Sequence, residues 1–213
     1  MKNLSKFFAV ISVAIAAVFS CQQAMATPFS VTGVQVTPGS GYGLESNDPG
    51  NTTLDVRFNT NAFSPQIFTL NAVGQFSTFN FGTVNFAEPN GSPGITGGET
   101  DNLGVLALFT FVNPLGSNET VSAAGTAVLG FVNDQAVDYT LIWTPQIVHF
   151  GTTGAFELSL NNLSFTARDT QALNATVRLL SLDAPTVVPE PQSVALMGLS
   201  GLLLAFTIRR RTH

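Results

Sequence analysis

Short runs in which every second residue is apolar fill residues 27–184, and they constrain the fold of this chain more than any other feature. Examples are LDVRF at 54–58, YTLIW at 139–143 and FELSL at 156–160. Side chains of a strand point alternately to its two faces, so this spacing is typical of strands with one buried face. Gly, Pro, Asn and Asp separate the runs and helical periodicity is weak, which together predict an all-β domain.

The predicted strands are numerous enough for two antiparallel sheets packed as a sandwich, of jelly-roll or immunoglobulin-like type. Fourteen of the 18 phenylalanines lie in this part of the chain, and each buried one contributes about 1.5–3 kcal/mol before chain entropy is subtracted. After Asn161 and Asn162 the apolar parity shifts to Leu163 and Phe165, which predicts a bulge or a tight turn at the asparagine pair. The predicted strands are 29–37, 54–58, 66–71, 76–86, 103–112, 121–133, 139–143, 146–150, 156–160 and 175–182.

The first 26 residues have the three regions of a secretory signal peptide. Two lysines precede an apolar run over 7–19, and Ala24 and Ala26 form the small-x-small pattern of a cleavage site. We therefore expect export by the Sec machinery and cleavage after Ala26. The alternatives are a lipoprotein site at Cys21 and a buried core helix over the same run. Because Cys21 is the only cysteine, no disulfide is expected in the exported part.

Charge is distributed unevenly along the chain. Residues 27–191 contain all 13 acidic residues, against only three arginines and no lysine, which gives this part a net charge of −10. The three arginines are Arg57, Arg168 and Arg178. Counterion release from phosphates requires clusters of Lys and Arg, so neither nucleic acid nor anionic lipid is an expected partner.

The last 27 residues combine an extended triplet, an uncharged run and a basic end. As a helix, residues 193–208 would span about 24 Å, which is less than the hydrocarbon core of about 30 Å. Three arginines follow and favour the cytoplasmic side of a membrane; they are Arg209, Arg210 and Arg211. The triplet before the run is Pro189, Glu190 and Pro191. Its prolines hold the chain extended outside the membrane, where a processing enzyme can bind it.

A Pro-Glu-Pro triplet, a short apolar helix and an arginine cluster, in this order, resemble the PEP-CTERM sorting signal of exosortase-bearing Gram-negative bacteria. The resemblance covers roughly the last 25 residues. It implies that an exosortase, a multi-spanning membrane cysteine protease, recognises the triplet and cleaves near it. It also implies a transient inner-membrane intermediate with its domain in the periplasm, followed by transfer to the cell surface or the extracellular space. The alternative is a plain membrane helix after a coincidental triplet.

Candidate catalytic residues are sparse in the central domain. His149 is its only histidine, no Gly-x-Ser-x-Gly motif accompanies it, and we expect it to be half-buried on a strand. Two carboxylates at a suitable separation could cleave a glycosidic bond. The acids in or beside predicted loops are Asp48, Asp55, Glu99, Asp101, Asp134 and Asp138. Scattered acids on a solvated sandwich need no catalytic role, so we expect a protein that is not an enzyme.

Two glycine-containing loops hold the hard oxygen ligands that calcium prefers. The candidate ligands are Glu45, Asp48 and Asn51 in one loop and Glu99, Asp101 and Asn102 in the other. Neither loop matches the twelve-residue EF-hand pattern, and solvated acidic turns are the alternative. We therefore expect no cofactor, with calcium as the one candidate ion.

Together these features predict an exported, non-enzymatic protein of the cell surface or extracellular matrix. The resemblance implies a structural or adhesive role linked to exopolysaccharide or biofilm. A carbohydrate-binding module or a glycoside hydrolase is the alternative, which exposure of Tyr42 or Trp143 beside loop carboxylates would favour. The expected segments are a signal peptide at 1–26, a β-sandwich at 27–186 and a sorting signal at 187–213.

Overall fold

The computed structural model describes residues 26–43, 52–89, 94–134 and 137–183. The predicted transmembrane helix and nearly all of the predicted signal peptide lie outside these residues. Inside them, no helix has the length and apolar character that a membrane crossing requires. They contain twelve strands and one 3-10 helix, Gly97–Glu99. The strands are β1 (Thr27–Pro38), β2 (Tyr42–Gly43), β3 (Leu54–Asn59), β4 (Gln66–Leu70), β5 (Phe76–Phe86), β6 (Gly104–Asn113), β7 (Ser117–Ala127), β8 (Tyr139–Trp143), β9 (Gln146–Phe150), β10 (Gly154–Leu160), β11 (Leu163–Phe165) and β12 (Asp169–Ser181).

The strands form two six-stranded sheets. The order in the first sheet is β11-β8-β7-β6-β1-β4, and the order in the second is β2-β3-β5-β12-β10-β9. Neighbouring strands pair antiparallel throughout, except for β2 and β3, which are parallel. The all-β prediction is thus confirmed for the described part of the chain. The finer choice between a jelly roll and an immunoglobulin-like topology stays a prediction.

Aromatic side chains join the two sheets in one core. Phe29 of β1 meets Phe156 of β10 edge to face, with ring centroids 5.2 Å apart. Phe86 of β5 stacks on Tyr139 of β8 at 5.8 Å. All four residues are fully buried, so the inner faces of the sheets pack directly against each other.

Most strand boundaries agree with the predictions to within two residues, and β7 and β12 are the strands that differ most. β7 begins at Ser117 rather than Val121, because residues 117–120 pair with β6. β7 ends at Ala127 rather than Asn133, because Gly130 (φ 135°) and Asn133 (φ 73°) turn the chain in between. β12 begins at Asp169 rather than Ala175, because its first residues pair with the end of β5. That partner, and not the alternation of apolar residues, decides where the strand begins.

The asparagine pair after β10 forms a corner between the two sheets. The predicted bulge or tight turn is wrong, because β10 belongs to the second sheet and β11 to the first. The side chain of Asn161 stays with β12, where its Oδ1 accepts the amide of Asn174 at 2.6 Å. The Oδ1 of Asn162 accepts the amide of Trp143 in β8 at 2.8 Å. The parity shifts because the chain changes sheets here, with one asparagine bound to each sheet.

Tyr42 reaches from β2 to a polar contact at the edge of the core. Its hydroxyl donates to the carbonyl oxygen of Leu103 at 2.7 Å and accepts from the hydroxyl of Tyr139 at 2.8 Å. Gly125 leaves room for this contact, since a Cβ there would lie 2.7 Å from the Leu103 oxygen and collide with the Tyr42 hydroxyl. Burial raises the pKa of Tyr42 to about 12. Burial, together with the adjacent Tyr42 hydroxyl, also raises the pKa of Tyr139.

Alkaline unfolding should report on this tyrosine pair, because residues 27–191 contain no lysine and the chain has only two tyrosines. Unfolded tyrosine ionises near pH 10, whereas both folded tyrosines keep their protons to about pH 12. The free energy of unfolding should be unaffected by the pair below pH 10. Above it, each tyrosine should lower that energy by about 1.4 kcal/mol per pH unit. Urea unfolding between pH 8 and pH 12 measures this slope; Tyr42→Phe should halve it, and an equal slope in the variant would contradict the assignment.

Candidate functional site

The chain leaves the domain at a fixed point beside the turn between β9 and β10. Asp183 Oδ1 accepts the amides of Thr152 at 2.7 Å and Thr153 at 3.0 Å. The Thr153 hydroxyl donates to the carbonyl oxygen of Leu182 at 3.1 Å, and the Ser181 hydroxyl donates to that of Thr153 at 2.7 Å. We call these five residues the exit clasp. They hold the end of β12 in place up to the last described residue.

The first strand begins at the same end of the domain. Thr27 at the start of β1 pairs with Leu70 at the end of β4. The turn that follows Leu70 is bound to the end of β12, because the Gly74 amide donates to the carbonyl oxygen of Leu179 at 2.8 Å and the Leu179 amide donates to that of Gln75 at 2.9 Å. Segments that precede β1 and follow β12 therefore depart from one end of the domain.

The short distance along the chain from the exit clasp limits where the Pro-Glu-Pro triplet can lie. Six residues lead from Asp183 to Pro189, and an extended chain spans at most about 3.5 Å per residue. Pro189 therefore stays within about 21 Å of the exit clasp, and Pro191 within about 28 Å. An enzyme that binds the triplet has to work close to the folded domain.

Similarity to a known family is found in this tail. The family model of the PEP-CTERM protein-sorting motif matches residues 187–211. The chain carries a PEP-CTERM sorting motif. No curated protein and no solved structure matches the chain, so the β domain has no family assignment.

The PEP-CTERM motif implies an exported protein that passes through a membrane-anchored stage, is processed by an exosortase and reaches the surface. The roles of Pro189, Glu190 and Pro191, and of the arginines that follow the apolar run, stay predictions, since these residues lie outside the described part. Ala24 lies outside it as well. Ala26, after which cleavage is expected, is exposed and directly precedes β1.

Of the calcium candidates, one acid has a structural role. Glu99 is buried, and its Oε2 accepts the amide of Thr96 at 2.6 Å at the start of the 3-10 helix. Asp101 is exposed, while Glu45, Asp48 and Asn51 lie outside the described residues. Within residues 26–43, 52–89, 94–134 and 137–183, no three His, Cys, Asp or Glu side chains come together as metal ligands. Calcium binding at either loop stays a prediction.

The aromatic residues expected to mark a carbohydrate site are not exposed platforms. Trp143 is 4% exposed, and Tyr42 is half-buried with its hydroxyl directed at Leu103. Among the loop acids, Asp138 is 1% exposed and its Oδ2 accepts the amide of Asn133 at 3.0 Å. The arrangement that would favour a site built from these aromatics and loop carboxylates is therefore not formed.

His149 is exposed, so the expectation of a half-buried histidine is wrong. The two residues beside it in β9, Val148 and Phe150, are buried and fill the inner face of the second sheet. Because side chains alternate along a strand, His149 lies on the outer face. Within the described part of the chain it makes no hydrogen bond to a serine or a carboxylate.

A row of paired amides and hydroxyls runs along the outer face of the second sheet, and the sequence pattern did not reveal it. The hydroxyls of Thr78 and Thr176 are 2.9 Å apart. At the other end of the same two strands, Asn85 Nδ2 donates to Thr170 Oγ1 at 2.7 Å. We call this row the polar ladder; its members are Thr78, Asn80 and Asn85 on β5 and Thr170, Asn174 and Thr176 on β12.

Arginines border both ends of the polar ladder. Arg57 pairs with Asn85 across β3 and β5, and Arg178 pairs with Phe76 across β12 and β5. Both arginines are exposed, and Phe76 is 60% exposed. Asn85 and Phe76 are nine residues apart on β5, so the arginines flank a polar strip about 30 Å long. This face therefore carries two of the three arginines of the domain, and Glu157 of β10 lies opposite Arg178 on it.

Removal of the Asp183 carboxylate should loosen the exit clasp without unfolding the domain. Asp183→Ala leaves the amides of Thr152 and Thr153 without this acceptor, at a cost of about 1 kcal/mol for a solvent-exposed site. Hydrogen exchange of these two amides should accelerate roughly fivefold. Asp169→Ala, which removes a carboxylate bonded only locally to Thr170 at the start of β12, is the matched control. Equal exchange in both variants would contradict a role for Asp183 in holding the exit.

Proposed function

We propose that the protein is held in the inner membrane by residues 193–208, cut near the Pro-Glu-Pro triplet by an exosortase, and delivered to the cell surface or extracellular matrix. There it has a structural or adhesive role linked to exopolysaccharide. The match of the PEP-CTERM motif to residues 187–211 carries this proposal. The β domain is the part that is delivered.

The geometry of the domain supports the membrane stage of this proposal. An export signal before β1 and an anchor after β12 both have to meet the membrane, and both chain ends depart from one end of the domain. The same end exposes apolar side chains, with Val73 61% and Phe76 60% exposed. A domain tethered within about 21 Å of Pro189 would present this end to the membrane.

Replacing the triplet by alanine should leave export intact and prevent release from the membrane. We expect the variant with Pro189, Glu190 and Pro191 all replaced by alanine to be exported and then retained in the inner membrane, because its recognition element is lost. Cell fractionation with antibody detection measures the distribution. Pro185→Ala, four residues upstream in the same linker, is the control and should be released normally. Surface release of the triple variant at the native level would disprove sorting through the triplet.

For the role in the matrix, we propose that the polar ladder binds an acidic polysaccharide. Paired amides and hydroxyls can exchange hydrogen bonds with sugar hydroxyls, and Phe76 offers an exposed ring for a sugar face. Arg57 and Arg178 can each form charge-assisted hydrogen bonds to a carboxylate. Glu157 lies opposite Arg178 on the same face, so the two arginines together have to offset its repulsion of such a polymer.

Affinity electrophoresis through gels that contain the producing strain's exopolysaccharide tests this role. The double variant Phe76→Ala, Arg178→Ala should lose roughly tenfold or more in affinity, through loss of one ring contact and one charged contact. Ile67→Ala, a change at an exposed aliphatic residue of the first sheet, is the control. Retardation that is equal in all three proteins would count against the polar ladder. Release of reducing sugar would instead favour the alternative of a glycoside hydrolase.

A further inference from the structure

Among the described residues, the strands of the first sheet place no charged side chain on its outer face. The six strands of this sheet contain a single charged residue, Glu119. Glu119 pairs with the buried Phe109, so it has the register of the inner face. The strands of the second sheet contain Arg57, Glu157 and Arg178 among others. The two outer faces of this acidic domain therefore differ sharply in charge.

Exposed aliphatic side chains stand on this uncharged face. Leu106 is 50% exposed, Ile142 is 49% exposed and Val112 is 52% exposed. Ala124 and Gly104 follow Ile142 across β7 and β6, so small residues keep the surface low between the aliphatic ones. The face consists otherwise of uncharged residues, many of them Ser and Thr. Removing such a surface from water costs little free energy, because no charged group has to be desolvated.

A shallow depression of about 390 Å³ adjoins Leu106. Thr37, Gly104 and Ser122 line it together with Leu106, and these positions lie in neighbouring strands. An aliphatic side chain of an apposed surface can enter a depression of this size. The end of the face at which β6 begins thus offers both a projecting Leu106 and a site that can receive one.

We propose that a second copy of this chain covers the outer face of the first sheet, in a symmetric dimer with Leu106 in the contact. Residues 27–191 carry a net charge of −10, so two copies repel each other wherever their acidic surfaces meet. Contact through the uncharged face places the acids of both copies away from each other. A symmetric contact uses the same patch on both copies, and an uncharged patch is compatible with itself.

The area of the face fits a weak dimer. Six strands spaced about 4.8 Å apart give a width of about 25 Å, and the paired lengths, which range from three to eight residues, give a mean height of about 19 Å. Each copy would bury about 500 Å², or about 1,000 Å² in total, which is in the range of weak or transient interfaces. We therefore expect association that depends on protein concentration. Salt should strengthen it, because salt screens the acidic repulsion and no ion pair holds the interface.

The test uses the full chain with Cys21→Ser, purified in mild detergent, so that any introduced cysteine is the only thiol. Sedimentation velocity over a range of concentrations compares Leu106→Asp with Ile147→Asp, a control at a 62% exposed aliphatic on the second sheet. Both positions are solvent-exposed, and fluorescence of the buried Trp143 verifies that each variant is folded. Leu106→Asp should weaken the dimer about tenfold or more, and Ile147→Asp should leave it unchanged.

Disulfide formation locates the contact independently of affinity. Ser122→Cys lies beside Leu106 on the uncharged face, and Ser159→Cys is its counterpart on the outer face of the second sheet. Under mild oxidation Ser122→Cys should give a cross-linked dimer and Ser159→Cys should not. A monomer at every concentration and salt level would overturn the proposal. A dimer equally stable in both aspartate variants, or one cross-linked through Ser159→Cys alone, would overturn it as well.

Discussion

The packing of aromatic rings between two sheets is the interaction on which the rest of the structure depends. Residues 27–183 contain no cysteine, so no disulfide bond limits the unfolded state, and apolar burial has to supply the stability. Rings such as Phe29 and Phe156 span the gap between the sheets. They fix which face of each strand is inside, and therefore which side chains are presented outside. Both proposed binding faces, and the exit at Asp183, are consequences of that one packing arrangement.

The amino-acid sequence predicted which residues form strands far better than it predicted which strands pair with each other. Alternation identified β8 and β10 because one face of each is buried, and this depends only on local spacing. The corner at Asn161 and Asn162 could be located from the parity shift, but whether the chain turns back or changes sheets depends on distant partners in β12 and β8. The polar ladder escaped prediction for the same reason, since Thr78 and Thr176 meet only through the register of two strands far apart in the sequence.

Several residues that attract attention in the sequence have structural roles. The glycines before Tyr42 allow close backbone contact with the start of β6 and the residues before it. The Gly39 amide donates to the carbonyl oxygen of Gly104, and the Gly41 amide donates to that of Asn102. Glu99 caps a short helix, and Trp143 is buried. The tail is the opposite case, because order and composition alone identified a sorting motif there. An enzyme recognises a sorting signal as one extended peptide, so its residues are adjacent in the sequence and can be predicted from it. A binding face on a sheet is formed by residues that are far apart in the sequence.

The protein joins an acidic β domain, which has one polar and one uncharged face, to a PEP-CTERM sorting motif. Our central proposal is that the chain is cleaved near Pro189, which separates the domain from the tail. Intact-mass spectrometry of protein recovered from the outer cell surface tests this most directly. We expect a polypeptide that begins at Thr27 and ends near the Pro-Glu-Pro triplet. A mass that still includes Arg209 to His213 would contradict it.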